Sequence, residues 1–326
     1  NHSDCLFDLA LIYENGSYGE KKDLAKSLTY INKLVDKDDV YGYFLLGTHL
    51  IENAESETDI RNGLSNCKLA NGSCDAYLID YYLFAEDYKF FNKIFKNKSE
   101  NKLKALELFQ NLIENIDEEN KSRYEDDRNL TLIEEILTTP KYTKVLDVKD
   151  LKKFISNIRV IAENKSSKYK PHLSNFAARI LGEYYNNEYF VKKDLKKSIK
   201  YLKLAADRGN ITAAINVGWR FYLDKNHEMA KKYNNYVINN SNDPYLLLYA
   251  HNNNGVIEVD LNGRGTDFAF DQFKKASKIV EEFNYEVTWP MANLFRYFYF
   301  PNSNNEKNLN FNEVKKYHKK MLEVKK

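Results

Sequence analysis

The sequence predicts an all-α fold, an α/α superhelix (solenoid) of about seven helix-turn-helix repeats. Glycine (12) and proline (5) are scarce among the 326 residues, which disfavours an all-β fold with many tight turns. Apolar residues recur at steps of three and four, the period of an amphipathic helix. Residues 20–30 and 191–201 are identical at seven of eleven positions, and such self-similarity is the signature of a repeat architecture.

Residues 175–210 show the physics of one helix pair. The first predicted helix has an apolar stripe, and Asn186-Asn187-Glu188 ends it. A second helix follows, with Asp194 as its N-cap or first-turn acid. Gly209-Asn210 ends this helix, because glycine adopts the left-handed conformation found after helix C-termini. The stripes of both helices must be buried against neighbours, so each pair needs the next.

Small residues recur inside the predicted helices, at Gly47, Gly182 and Gly218 on first helices and at Ala205 and Ala206 on a second helix. A glycine inside a helix costs about 1 kcal/mol relative to alanine, so its recurrence needs a reason. We expect these residues to let paired helices approach closely. Three tyrosines occupy recurring core positions and complete the predicted repeat-packing set: Tyr13, Tyr185 and Tyr201.

These motifs together resemble the Sel1-like repeat, a relative of the tetratricopeptide repeat. The pattern runs Leu-Ala/Gly-x-x-Tyr, Asn-Gly, Lys-Asp-Leu-x-Lys-Ser/Ala and Tyr-Leu-Lys-x-Ala-Ala-Asp-x-Gly-Asn. Residues 9–30 and 181–210 carry it well, and the other copies are degraded. In residues 244–284, Asn254-Gly255 is matched to the Asn-Gly loop of the pattern. The resemblance implies a non-catalytic scaffold, and bacterial members are often exported.

The predicted organisation has N-terminal repeats over residues 1–116 and C-terminal repeats over residues 147–326. Residues 117–146 fit the pattern worst and are predicted to be a divergent acidic connecting segment. Within it, residues 130–137 are expected to form an isolated short helix that ends before Pro140.

Three cysteines bear on the compartment. A disulfide between Cys67 and Cys74 would close a short loop and stabilise the fold by about 2.5 kcal/mol. The alternative is that both are free thiols that pack as small apolar side chains. The first residue is Asn1, so an excised export signal or a cloning choice are both open. We expect export to the periplasm, the outer-membrane surface or the medium, with a cytoplasmic location left open.

Few residues are arranged for chemistry. The six histidines form no His-Glu-x-x-His pair, and no Cys-x-x-Cys or phosphate-binding glycine loop occurs, so no catalytic, cofactor or metal site is predicted. His49 is expected to pack within a helix. Basic (49) and acidic (47) side chains nearly cancel, which disfavours a nucleic-acid partner. No apolar run approaches the roughly 18 residues of a transmembrane segment.

The expected function is therefore a non-enzymatic scaffold or adaptor that binds another protein on a solenoid surface. A bacterial cell-envelope or host-interaction (virulence) setting is expected, with membrane or envelope proteins among the partners. Two alternatives remain open. One is a repeat-fold hydrolase of cell-wall material, which would need paired carboxylates or an activated nucleophile. The other is a structural protein that self-associates through residues 297–300, Tyr-Phe-Tyr-Phe.

Overall fold

The computed structural model describes residues 2–114, 123–163, 171–263, 266–299 and 311–324. Within these ranges the chain forms 17 α-helices and two short 3-10 helices, and no strand occurs. The chain divides into two compact units, Asn1–Asn157 and Ile158–Lys326. The boundary falls inside one helix, Val148–Ala162.

The helices that begin in the first unit are bounded as follows: α1 (His2–Asn15), α2 (Leu24–Val35), α3 (Val40–Glu52), α4 (Glu57–Leu69), α5 (Asp75–Leu83), α6 (Lys89–Ile94), α7 (Lys98–Glu114), α8 (Arg123–Thr138) and α9 (Val148–Ala162). The 3-10 helices are Ala85–Asp87 and Pro140–Lys144. The second unit contains α10 (Pro171–Asn186), α11 (Leu195–Asp207), α12 (Ile211–Leu223), α13 (His227–Asn240), α14 (Pro244–Asn262), α15 (Asp267–Phe283), α16 (Trp289–Tyr299) and α17 (Phe311–Val324).

Helices pack in pairs, as the repeat pattern predicts. Seven pairs are present in the described ranges: α1 with α2, α3 with α4, α5 with α7, α10 with α11, α12 with α13, α14 with α15, and α16 with α17. In the second unit each helix from α10 to α17 also contacts the next one along the chain. The prediction of an all-α fold of about seven stacked helix pairs is confirmed.

The turn between paired helices has the same geometry in the two repeats that carry the sequence pattern best. Asp23 and Asp194 are the N-caps of α2 and α11, and each side chain accepts a backbone N–H bond at 3.0 Å. Their own N–H groups donate to the carbonyls of Tyr13 and Tyr185 at 2.8 Å. The cap therefore ties the start of each second helix to the end of the first.

Two local predictions are wrong. The helix expected over residues 130–137 is neither short nor isolated: α8 has 16 residues, and buried residues such as Ile133 and Ile136 give it an apolar face. Asn254 and Gly255 form no loop but lie buried in the middle of α14. The asparagine-rich run His251-Asn252-Asn253-Asn254-Gly255 suggests a turn locally, yet tertiary burial keeps it helical.

Among the described helices, none has both the length and the apolar character needed to cross a membrane.

Candidate functional site

The glycines predicted at helix crossings lie where no side chain fits. A Cβ atom on Gly47 would sit 2.6 Å from Sγ of Cys67, and one on Gly182 would sit 2.5 Å from Cγ of Leu202. On Gly218 it would sit 2.8 Å from Oδ1 of Asn234. These separations are shorter than van der Waals contacts. Backbone nitrogens of Cys67 and Leu202 lie within 3.1 Å of the same Cβ positions, so the crossings at Gly47 and Gly182 require glycine, whereas at Gly218 only the amide tip of Asn234 is in the way.

Sequence reasoning missed three further glycines that face a neighbouring helix, Gly42, Gly63 and Gly255. A Cβ on Gly255 would lie 2.5 Å from Cε1 of Phe273. The position of Gly255 could have been found from the regular intervals between the crossing glycines. Gly182, Gly218 and Gly255 follow one another after 36 and then 37 residues, a nearly constant repeat length. The asparagines next to Gly255 favoured its interpretation as part of a turn instead.

The predicted core tyrosines form stacked pairs across the helix pairs. Tyr13 lies parallel to Tyr30 with ring centroids 5.8 Å apart, and Tyr185 lies parallel to Tyr201 at 5.9 Å. Phe221 and Tyr233 repeat this arrangement in the next unit at 5.8 Å. On α11, Ala205 and Ala206 are both buried. All of these residues lie in packing positions, not at an open surface site.

Cys67 and Cys74 form a disulfide whose Cα atoms are 5.4 Å apart. It joins the end of α4 to the residue before α5, and both cysteines are buried. Cys5 is free and exposed. The bridge therefore closes the turn between two helix pairs in the first unit.

A polar cluster in the first unit surrounds His49. Its Nδ1 lies 3.0 Å from Oε2 of Glu14, and Nδ2 of Asn53 donates to Oε1 of Glu14. Burial by itself would raise the pKa of Glu14, but the hydrogen bonds from His49, Ser27 and Asn53 hold it below its ordinary value. The adjoining cavity is about 100 Å³, below the roughly 300 Å³ at which ligand pockets begin. The cluster is thus an internal polar contact between α1 and α3.

The neighbouring carboxyl group of Glu52 has the opposite shift. Burial raises its pKa, and the hydroxyl of Tyr81 donates to it at 3.0 Å. A second cavity of about 350 Å³ beside it also exposes Asp80, which accepts from Lys141 and from the hydroxyl of Tyr142. These carboxylates are engaged by neighbours, and no group of three or more metal-ligating side chains occurs in the described residues.

A larger cavity of about 570 Å³ lies in the second unit between α12, α14 and α16. We call it the tryptophan groove, because it holds both tryptophans of the chain. Its lining on α12 includes Ile215, Asn216, Trp219 and Arg220; on α14 it includes Tyr245, Tyr249, Asn252 and Asn253; and on α16 it includes Trp289. Its volume lies within the roughly 300–1,000 Å³ of typical ligand sites.

Aromatic side chains form much of the wall of the tryptophan groove. The rings of Tyr249 and Trp289 lie 5.1 Å apart, and those of Tyr245 and Tyr249 lie 4.9 Å apart. Trp219 packs on Tyr222 at 4.8 Å. Aromatic rings offer a large apolar contact area with little conformational entropy to lose, which makes them common binding anchors.

Three asparagine amides add polar character to the same groove. Oδ1 of Asn252 accepts from Asn293 at 2.9 Å, and Nδ2 of Asn216 donates to Oε1 of Glu183 at 2.8 Å. Asn253 is only 6% exposed, and its side chain lines the groove. A side-chain amide that lines a groove can both donate to and accept from a bound ligand.

Asn216 and Asn253 occupy the same place in successive repeats. Each stands two residues before a crossing glycine, Gly218 and Gly255 respectively. Equivalent positions on neighbouring stacked helices face the same side. Neither asparagine was singled out from the sequence, because asparagine is frequent throughout the chain and these two positions do not stand out from the others.

Arg220 is the one charged residue among the described residues that line the groove. Its side chain is 13% exposed, and Nη2 lies 3.7 Å from Oε2 of Glu183, which is too long for a hydrogen bond. Nε has no hydrogen-bond partner in the residues described. Burial lowers the pKa of the guanidinium, although an arginine remains charged at any physiological pH.

A protein-family model for the Sel1 repeat matches residues 3–39 and 176–210. No curated protein matches the chain significantly. Among solved structures, the chain is similar to a protective antigen present in uropathogenic Escherichia coli strains, which displays an SLR fold. The identity is 14%, the match covers 99% of this chain and 82% of that one, and the TM-score of 0.33 is too low to support an inference.

Proposed function

We propose that this chain, a Sel1-like repeat protein, is a non-enzymatic scaffold that holds an extended segment of a partner in the tryptophan groove. Sel1-like repeat proteins generally mediate contacts between proteins. The supporting observation is that both tryptophans and three asparagine side chains converge on one cavity. Aromatic anchors surrounded by a few fixed polar groups are typical of binding energy hot spots.

The amides favour an extended polypeptide as ligand. A side-chain amide carries both a donor and an acceptor, which match the N–H and C=O groups of a peptide backbone. Asn216 and Asn253 repeat this amide on neighbouring helices, and packed helices stand about 8–10 Å apart. An extended chain advances about 3.3 Å per residue, so a segment of a few residues would reach both.

The disulfide supports an exported location. Disulfides persist in oxidising compartments and are rare in the cytosol. We therefore propose that the protein acts in a bacterial periplasm, on the outer-membrane surface or in the medium, in envelope organisation or host contact. Alkylation of the protein inside native cells tests this. Labelling of Cys67 and Cys74 there would contradict the proposed compartment.

A display selection tests the binding function. Random peptides of 12 residues are selected on the full chain, and binding of the enriched peptides is measured by isothermal titration calorimetry, which does not depend on either tryptophan as a probe. We expect Trp219→Ala and Trp289→Ala each to weaken binding by about tenfold or more. Tyr18→Ala is the matched control, because Tyr18 is 93% exposed in the first unit. If no enriched peptide depends on either tryptophan, the proposed function is wrong.

A further inference from the structure

We infer that the partner segment presents a carboxylate to Arg220 next to an apolar side chain that packs on the tryptophans. This inference rests on the proposed function and adds to it the chemical character of the partner. Nothing in the repeat pattern predicts it, because it follows from one arginine and its surroundings.

The described residues that line the tryptophan groove carry a net positive charge. Arg220 contributes one positive charge, and no acidic side chain is found among its described lining residues. Glu183 approaches the guanidinium from α10 at 3.7 Å and also accepts from Asn216. This geometry leaves the guanidinium near a counter-charge but without a hydrogen bond to it. The electrostatic complement of the groove is therefore an anionic group, while a basic segment would be repelled.

The guanidinium of Arg220 is incompletely paired in the structure. The guanidinium of Arg220 is mostly buried and has a long ion pair with Glu183, with Nη2 3.7 Å from Oε2, and a buried charge that is weakly paired is unfavourable. A carboxylate satisfies a guanidinium through two parallel bonds, which are shorter and stronger than bonds between neutral groups. The site thus has more to gain from a carboxylate than from a neutral acceptor.

Two asparagine amides near Arg220 are further hydrogen-bond donors. Asn252 and Asn253 lie on α14, across the groove from Arg220 on α12. Oδ1 of Asn252 is engaged by Asn293, and no hydrogen bond from its Nδ2 group occurs in the described residues. The Asn253 side chain is 6% exposed and lines the groove. Both NH₂ groups can donate to a carboxylate or to the adjoining backbone carbonyl, so the donors surround the anionic group on two sides.

The peptides enriched in the display selection also test this inference. We expect them to contain Asp, Glu or a free C-terminal carboxylate close to a Leu, Phe or Trp residue. For each enriched peptide a partner is synthesised in which the acid is replaced by its amide. Loss of a hydrogen-bonded charge pair should weaken binding to the natural chain by about tenfold or more.

Variants of the protein complete the cycle. With Arg220→Gln, the acidic peptide and its amide should bind within about twofold of each other, since the charge that distinguishes them is gone. Arg220→Lys keeps the charge without the bidentate geometry and should retain part of the preference. Lys278→Gln removes an exposed positive charge from α15 and should change nothing. Far-UV circular dichroism establishes that each variant is folded.

The outcomes separate the two proposals. Peptides that need Trp219 but bind equally well without their acid would overturn this inference and leave the proposed function standing. Enrichment of basic peptides would do the same. If instead cell-wall oligosaccharides change the tryptophan fluorescence and no peptide does, the groove binds glycans, and both proposals are wrong.

Discussion

At the scale of single residues, the most informative positions are those where the smallest side chain is required. Gly47, Gly182, Gly218 and Gly255 each face a neighbouring helix so closely that even a methyl group would overlap it. The residue on the partner helix differs from repeat to repeat: it is Cys67, Leu202, Asn234 or Phe273. The crossing geometry is thus repeated while its chemistry is free to vary.

Gly182→Leu tests this account. The new side chain would collide with Leu202, which is fully buried and cannot move into solvent. Overpacking of this kind lowers the free energy of unfolding by about 1–3 kcal/mol. Urea denaturation followed by circular dichroism measures the change.

The control is His172→Leu, which introduces the same side chain at an exposed position of α10. An unchanged denaturation midpoint for Gly182→Leu, or an equal loss in the control, would show that this crossing does not require glycine.

At the scale of elements, local interactions define where the helices begin and how the pairs are joined. Asp23 and Asp194 cap the second helices of two repeats in the same way. The disulfide has a comparable role between pairs, because it joins the end of α4 to the turn before α5. Both the aspartate caps and the disulfide reduce the number of conformations that the connecting turn can adopt.

Replacement of both bridged cysteines, Cys67→Ser with Cys74→Ser, should lower the free energy of unfolding. The closed loop is short, and the chain-entropy relation gives about 2.5 kcal/mol for a loop of this size. Urea denaturation of this variant and of the natural chain with and without a reductant measures the effect.

Cys5→Ser provides the control, since Cys5 is exposed and unbridged. A natural chain that is equally stable in its reduced and oxidised forms would contradict the stabilising role of the bridge.

At the scale of the whole molecule, the chain has two compact units, each with a buried core. In the first unit this core includes Ile31, Leu34, Phe44 and Phe91. In the second it includes Leu202, Val217 and Leu248. Both tryptophans belong to the second unit, at positions 219 and 289. Tryptophan fluorescence therefore reports on one unit, while circular dichroism reports on all helices.

Two variants described above should separate these signals. Gly182→Leu lies in the second unit and should shift the transition seen by tryptophan fluorescence. Cys67→Ser with Cys74→Ser lies in the first unit and should shift part of the circular-dichroism transition only, because a unit with its own core can unfold on its own. Superimposable shifts of both signals in both variants would instead show that the chain unfolds as one cooperative body.

The sequence by itself determined the all-α class, the pairing of helices and the cap at Asp194, because helical periodicity and capping are local properties. It also pointed to Gly47, Gly182 and Gly218 but not to Gly42, Gly63 and Gly255. The division into residues 1–116, 117–146 and 147–326 remains a prediction. The side chains of residues 297–299 and all of residue 300, proposed for self-association, lie outside the described residues.

Only the tertiary structure decided that α8 has a buried face, that Gly255 lies inside a helix, and that Trp219, Arg220, Asn253 and Trp289 meet in one groove. These residues come from three helices separated by dozens of positions in the chain. Periodicity tells which side of a helix is apolar. It does not tell which surfaces remain open once neighbouring helices have packed, because that depends on how closely each crossing lets them approach.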